Sequence, residues 1–275
     1  MKYIVAQPNN HGKLGHQFQN WSLALALSGE FDNVECIHTP FRDMCSRWEN
    51  VLNFSKGFKT VKDINPSKVV ELPKIDMGTD ISATKETFEK NLNTYRKLIN
   101  DAEDNTLFKL PFDLFPGFMS EKIHGLSDKL RECYWSDKTP HDFGDGTSIG
   151  VHIRRGDISK KGNANRWLEL SEYREVMDAI RSKKLYDNPQ FYVFSEGSVN
   201  DFKELDGDDV TFIIGGSDVE TFRKMASVDV LIVGLSTYPI LASYMSDSDK
   251  IFWRLRNYNR WDGLEGFTNV NEILK

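Results

Sequence analysis

Apolar and polar positions alternate along this chain in two distinct rhythms. Short runs of β-favouring apolar residues, each bounded by turn formers, read as strands of a parallel sheet. They are Tyr3–Ala6, Ile149–Ile153, Phe191–Phe194, Val210–Ile214, Val230–Val233 and Ile251–Trp253. Helical patterns lie between them. Trp21, Leu23, Leu25 and Leu27 sit among small residues and predict a well-buried helix from Gln17 to Ser28. Phe88, Leu92, Tyr95, Leu98 and Ile99 recur at three- and four-residue spacing with polar residues between them, which predicts an amphipathic helix over 82–101. Tyr173, Val176, Met177 and Ile180 repeat that pattern behind Ser171, the expected N-cap. Phe222, Met225 and Ala226 mark a short helix after Asp218, and Leu241 and Met245 mark another.

This alternation predicts an α/β fold with a doubly wound parallel sheet. The stretch Lys138–Ser148 is polar, holds Pro140 and two glycines, and reads as a linker. The second half then begins afresh at Ile149. The first half carries fewer strand signals and leaves its topology open.

Composition narrows the function. A length of 275 residues suits one large domain or two compact ones, and 28% charged against 39% hydrophobic residues is ordinary for a soluble enzyme. The net charge of −6 argues against a general nucleic-acid binder, so any polyanion must meet a local basic site. Cys36, Cys45 and Cys133 are odd in number and lack CxxC spacing, which suggests neither a disulfide framework nor a zinc site. The N-terminus shows no signal-peptide pattern, and every apolar run falls far short of the ~20 residues that span a bilayer. The expectation is a soluble, cytoplasmic chain without a membrane segment.

Candidate chemistry gathers at the strand ends, where open α/β sheets bind ligands. The strand starting at Ile149 delivers His152, Arg154, Arg155, Gly156 and Asp157 into its terminal loop. Adjacent guanidiniums repel one another and are hard to bury, yet they suit a diphosphate. Spacing leaves open which arginine holds the anion and which pairs internally, and Asp157 either orients a guanidinium or meets a substrate hydroxyl. The embedded Arg-Gly-Asp is tied to a buried strand, unlike an adhesion loop. After strand 230–233, Ser236 and Thr237 stand at a helix start with Pro239 in its first turn, a place for anion binding or plain capping. Ser195 and Glu196 add an acidic group at the end of strand 191–194, for a ribose, a base or the cap of the next helix. Near the N-terminus, Gly12-Lys13-Leu14-Gly15-His16-Gln17 reads as a glycine-rich turn into the Trp21 helix. Asp247-Ser248-Asp249 resembles an Asp-x-Asp metal motif but precedes a strand, and the six histidines lack metal spacing, so no metal site is expected.

These residues resemble the fucosyltransferases that carry a His-x-Arg-Arg-x-Asp motif, the α1,2- and α1,6-fucosyltransferases and their relatives. His152 to Asp157 matches that motif in full. Gly12 to Gln17 is similar to the family's Gly-Gly-Leu-Gly-Asn-Gln, with Lys13 and His16 as departures. Phe191–Glu196 looks like the strand that the family ends in Ser-Asp. Met225–Tyr244 resembles its serine-rich phosphate-binding segment, without the family's Trp pair. The resemblance implies two Rossmann-like domains (GT-B) with doubly wound parallel sheets, an acceptor-side domain over 1–140 and a sugar-nucleotide domain over 147–275. It further implies an inverting, metal-independent glycosyltransferase without a cofactor, taking GDP-fucose as donor and a glycan as acceptor. On that basis Arg155 is expected to stabilise the leaving group, with Asp157 or a carboxylate of the first half as general base. Gly15, His16, His152, Arg154, Arg155, Ser195, Glu196, Glu220, Ser236 and Thr237 are the expected donor-binding residues, His152 and the acids near Glu220 facing the base. Two other readings stand beside it: a same-fold enzyme with another donor such as UDP-xylose, and a non-catalytic carbohydrate- or nucleotide-binding module. Trp21, Trp48, Trp135, Phe112, Phe115 and Phe118 are further aromatics for sugar stacking or for the core.

Overall fold

The computed structural model describes residues 1–6, 13–73, 85–111, 127–159, 161–162, 167–234, 236–252 and 267–275. Two compact units form, with their main division between Lys138 and Thr139. Both are α/β units built on parallel sheets. Among the described residues no helix is long and apolar enough to cross a membrane.

The first unit holds β1 (Lys2–Ala6), β2 (Val34–Ile37), β3 (Lys68–Glu71) and β4 (Thr106–Leu110) in the order β2-β1-β4-β3. Every pairing is parallel. Only β1 was legible as a strand. β2, β3 and β4 each carry a charged residue within four or five positions, too short a run for periodicity to register. The helix Leu14–Ser28 packs on β1 and β2. It starts three residues before the expected Gln17, so Gly15 and His16 lie in its first turn and not in a loop. Gly12 lies outside the described residues. The amphipathic helix runs Lys85–Asp101, with Leu92, Tyr95 and Ile99 buried and Leu98 39% exposed at the edge of that face.

The second unit holds β5 (Thr147–His152), β6 (Pro189–Ser195), β7 (Val210–Ile214), β8 (Val230–Val233), β9 (Asp249–Phe252) and β10 (Thr268–Asn269). Their order is β10-β9-β8-β5-β6-β7, and all pairs are parallel. The chain winds outward from β5 to β7, then returns to β8 on the other side of β5. The C-terminal ends of β5 and β8 therefore flank a topological switch point, the crevice where such sheets bind ligands.

Period-two alternation covers both faces of this sheet. Ile149, Val151, Phe191, Val193, Val230 and Ile232 pack with the helix Leu170–Ser182, the short helix Val199–Leu205 and the helix Val270–Leu274. His152 faces the other side, where Tyr238 and Phe222 bring the helices Thr237–Tyr244 and Asp218–Met225. Gly150 shares that side because a Cβ there would approach Leu231, Phe194 and Val228 to 3.0–3.2 Å.

Local expectations fail where side chains compete for backbone groups. Ser171 does not cap its helix; Glu169 does, in a capping box whose Glu169 N–H donates to the Glu172 carboxylate over 2.8 Å. Glu196 caps nothing, since Ser198 opens the next helix in a box with Asp201. β9 starts at Asp249, two residues early, while Trp253 lies outside the described residues. The expected linker is docked on the second unit: the Phe143 ring lies 4.4 Å from that of Tyr192, and the His141 N–H donates to Ser227.

Candidate functional site

The end of β5 is fixed before its loop departs. The Ile153 N–H still donates to the Phe194 carbonyl at 2.9 Å, and the Ser195 hydroxyl donates to the Ile153 carbonyl at 2.7 Å. Ser195 thus stitches β6 to β5, which spends its proton on the backbone. The chain then turns through Gly156 at φ +63°. A Cβ on Gly156 would overlap Oε2 of Glu196 and reach 2.7 Å from its Cδ, so the arginine loop lies against Glu196.

The two arginines are held differently. Arg154 makes a bidentate pair with Asp157, Nε to Oδ1 at 2.9 Å and Nη2 to Oδ2 at 2.6 Å. Arg155 stacks on the Trp167 ring, 3.8 Å from its centroid. Its Nη1 donates to the Arg154 carbonyl at 2.9 Å and its Nη2 to the Leu168 carbonyl at 3.0 Å. Among the described residues no carboxylate pairs with Arg155. Of the arrangements the spacing left open, the structure adopts the one in which Arg154 pairs internally. The charge of Arg154 is offset locally by an ion pair, whereas the groups that bond to or stack on Arg155 are neutral and the Glu169 carboxylate acts on it only through space. Burial lowers the Arg155 pKa, yet a guanidinium stays charged in proteins.

Across the switch point, Ser236 precedes the helix Thr237–Tyr244 but its side chain does not cap it. Its N–H donates to the Gly234 carbonyl at 2.8 Å. A Cβ on Gly234 would lie 3.0 Å from the Tyr173 hydroxyl and 3.2 Å from the His152 carbonyl, so the ends of β5 and β8 and the start of the Leu170–Ser182 helix converge. Leu235 lies outside the described residues. His152 is buried, and among the described residues its Nδ1 has no hydrogen-bond partner. Burial, with Arg154 beside it, pushes its pKa down to about 4, so the ring is neutral at pH 7. Burial pushes the Tyr173 hydroxyl up, and it too is neutral.

Glu220, also expected here, is committed elsewhere in the second unit. Glu220 is exposed and pairs with Arg223 on its own helix, Nη2 to Oε2 at 2.9 Å. Gly15 and His16 belong to the first unit. Trp21 and Trp48 are core residues and Trp135 is half-buried, while Phe112, Phe115 and Phe118 lie outside the described residues. Sequence reasoning missed Trp167 and Tyr173 as neighbours of the arginines. The available signal was their place, just before and inside the first turn of the helix that follows the loop.

With the geometry in hand, sequence comparison identifies the family. The sequence model described as glycosyl transferase family 11 matches residues 83–263, well over half of the chain.
The chain belongs to glycosyl transferase family 11.
This family 11 chain is 30% identical over 121 residues to the galactoside alpha-(1,2)-fucosyltransferase 2 of Gorilla gorilla gorilla and to that of Hylobates lar. The match takes in 41% of this chain and 34% of each relative, so the chain spans about a third of the length of the curated relatives it matches. Among solved structures it is similar to POFUT1 in its apo form, at 12% identity, 90% and 95% coverage of the two chains and a TM-score of 0.49. POFUT1 in complex with GDP-fucose gives 12%, 90%, 94% and 0.45. E. coli heptosyltransferase WaaC with ADP gives 8%, 98%, 92% and 0.46.

Proposed function

We propose that this family 11 chain transfers L-fucose from GDP-fucose to a glycan hydroxyl, with inversion and without a metal. The observation that carries the proposal is Arg155, a half-buried guanidinium at the sheet's switch point whose holders are all neutral. In the reaction the acceptor oxygen bonds to the anomeric carbon as the bond to the diphosphate oxygen breaks. The bonding electrons stay on the diphosphate, where negative charge grows. A fixed cation and the N–H groups of a helix start, already in place, stabilise that charge without reorganising. Arg155 takes the first role, and the backbone and hydroxyls of Ser236 and Thr237 take the second.

Asp157 holds Arg154 with both oxygens, so in this reading it orients the supporting guanidinium. The acceptor proton then goes to a carboxylate of the 1–140 half, the acceptor side, with 147–275 as the donor side. In this reading His152, Ser195 and Glu196 line the nucleoside end. Family membership and the names of the curated relatives support a fucosyl donor.

Thermal shift with GDP, GDP-fucose, UDP and UDP-xylose tests the donor. A ligand at a hundredfold excess over its Kd adds about 2.7 kcal/mol of stability, which raises Tm measurably. GDP and GDP-fucose are expected to stabilise the chain. Stabilisation by uridine compounds alone would overturn the donor assignment, and binding of GDP-fucose without hydrolysis or transfer would make the chain a binding module.

A further inference from the structure

We propose that Trp167 is the positioning residue for Arg155, its indole face acting as the platform that holds the guanidinium at the diphosphate site. This rests on the reading of Arg155 as the diphosphate clamp. An arginine side chain carries about 2 kcal/mol of rotamer entropy, so an unsupported one is a poor preorganised donor. Here three neutral groups restrain it. The Trp167 ring lies 3.8 Å below the guanidinium carbon, and the Arg154 and Leu168 carbonyls each take one N–H from a terminal nitrogen. A guanidinium has five N–H groups, and among the described residues only two of those on Arg155 are bonded.

The restraint comes from one short segment. Trp167 supplies the face and Leu168 the carbonyl, and both immediately precede the Glu169–Glu172 capping box that opens the helix. Neutral holders have a chemical consequence. Arg154, clamped by Asp157, is oriented at the expense of its net charge, while Arg155 is oriented without an ion pair among the described residues, with Glu169 attracting it only through space. A tryptophan face is the strongest aromatic partner for a cation, and it leaves the guanidinium edge open.

The test is a double-mutant cycle on the full chain between Trp167→Ala and Arg155→Ala, with Trp167→Phe as the conservative variant. GDP-fucose turnover and calorimetric GDP affinity are both read. Loss of the platform should lower kcat on the order of tenfold, with acceptor KM unchanged and most of the loss recovered in Trp167→Phe. In the Arg155→Ala background, Trp167→Ala should change neither readout further, because its effect runs through that guanidinium. Equal losses in both backgrounds would overturn the proposal and leave Trp167 a packing residue, as would unchanged kinetics in a folded Trp167→Ala. If the wild type binds GDP or UDP but turns over no GDP-fucose, the fucosyl reading fails while the cycle on nucleotide affinity still decides the role of Trp167. A chain that binds neither nucleotide overturns both.

Discussion

Replacing Gly156 by alanine probes the arginine loop at its most constrained point. The backbone there is left-handed, φ +63°, which disfavours an L side chain by roughly 1–2 kcal/mol. The new Cβ would also overlap the Glu196 carboxylate and lie 2.7 Å from its Cδ. Glu196 is exposed and flexible, so it can swing aside at a cost of about 1 kcal/mol or less. Gly156→Ala should therefore destabilise the second unit by about 2 kcal/mol, most of it from the backbone. Urea denaturation of Gly156→Ala and of Gly156→Ala/Glu196→Ala separates the two parts. The double variant relieves the overlap but not the dihedral, so it should recover only the smaller part. Full recovery would refute the backbone argument, and a neutral Gly156→Ala would refute the loop conformation itself.

Three further outcomes follow from the same geometry. His152 has a folded pKa near 4 against about 6.5 unfolded, so the unfolded chain binds the extra proton between those values. Its contribution is whole above pH 6.5 and is lost as pH falls towards 4, about 3 kcal/mol in all; a His152→Gln variant with the same pH slope of urea midpoint would remove this cause. Ser195→Ala deletes the bond to the Ile153 carbonyl and should cost about 1 kcal/mol, read as a shift in denaturation midpoint, with no shift contradicting the stitch between β5 and β6. Asp157→Asn weakens a half-exposed pair and should change stability by less than about 1 kcal/mol while weakening donor affinity through a loosened Arg154; unaltered GDP affinity by calorimetry would remove Asp157 from the site.

What the sequence disclosed follows from which signals are local. Five of the six strands of the second sheet were legible because buried parallel strands such as Val230–Val233 are continuous apolar runs, while β10, two polar residues long, was not; the Arg-Arg loop stood out as chemistry that packing does not require. The first sheet was not, because β2, β3 and β4 become strands through pairing with β1 and its neighbours rather than through their own patterns. Gly15 and His16 looked like loop residues since glycine is the usual turn former, but helix Leu14–Ser28 takes them into its first turn. The division of labour between Arg154 and Arg155 depends on Asp157 three residues on and Trp167 twelve residues on. Spacing reveals the first partner only as a possibility and the second not at all.

The central claim is that Arg155 stabilises the departing diphosphate, and turnover of GDP-fucose by Arg155→Ala beside Arg154→Ala tests it most directly. Removing one well-placed donor to developing charge should lower kcat about a hundredfold or more in Arg155→Ala, with folding unchanged by circular dichroism and thermal melting. Arg154→Ala should lose less. Near-native turnover in a folded Arg155→Ala, or a larger loss at Arg154, would contradict the account.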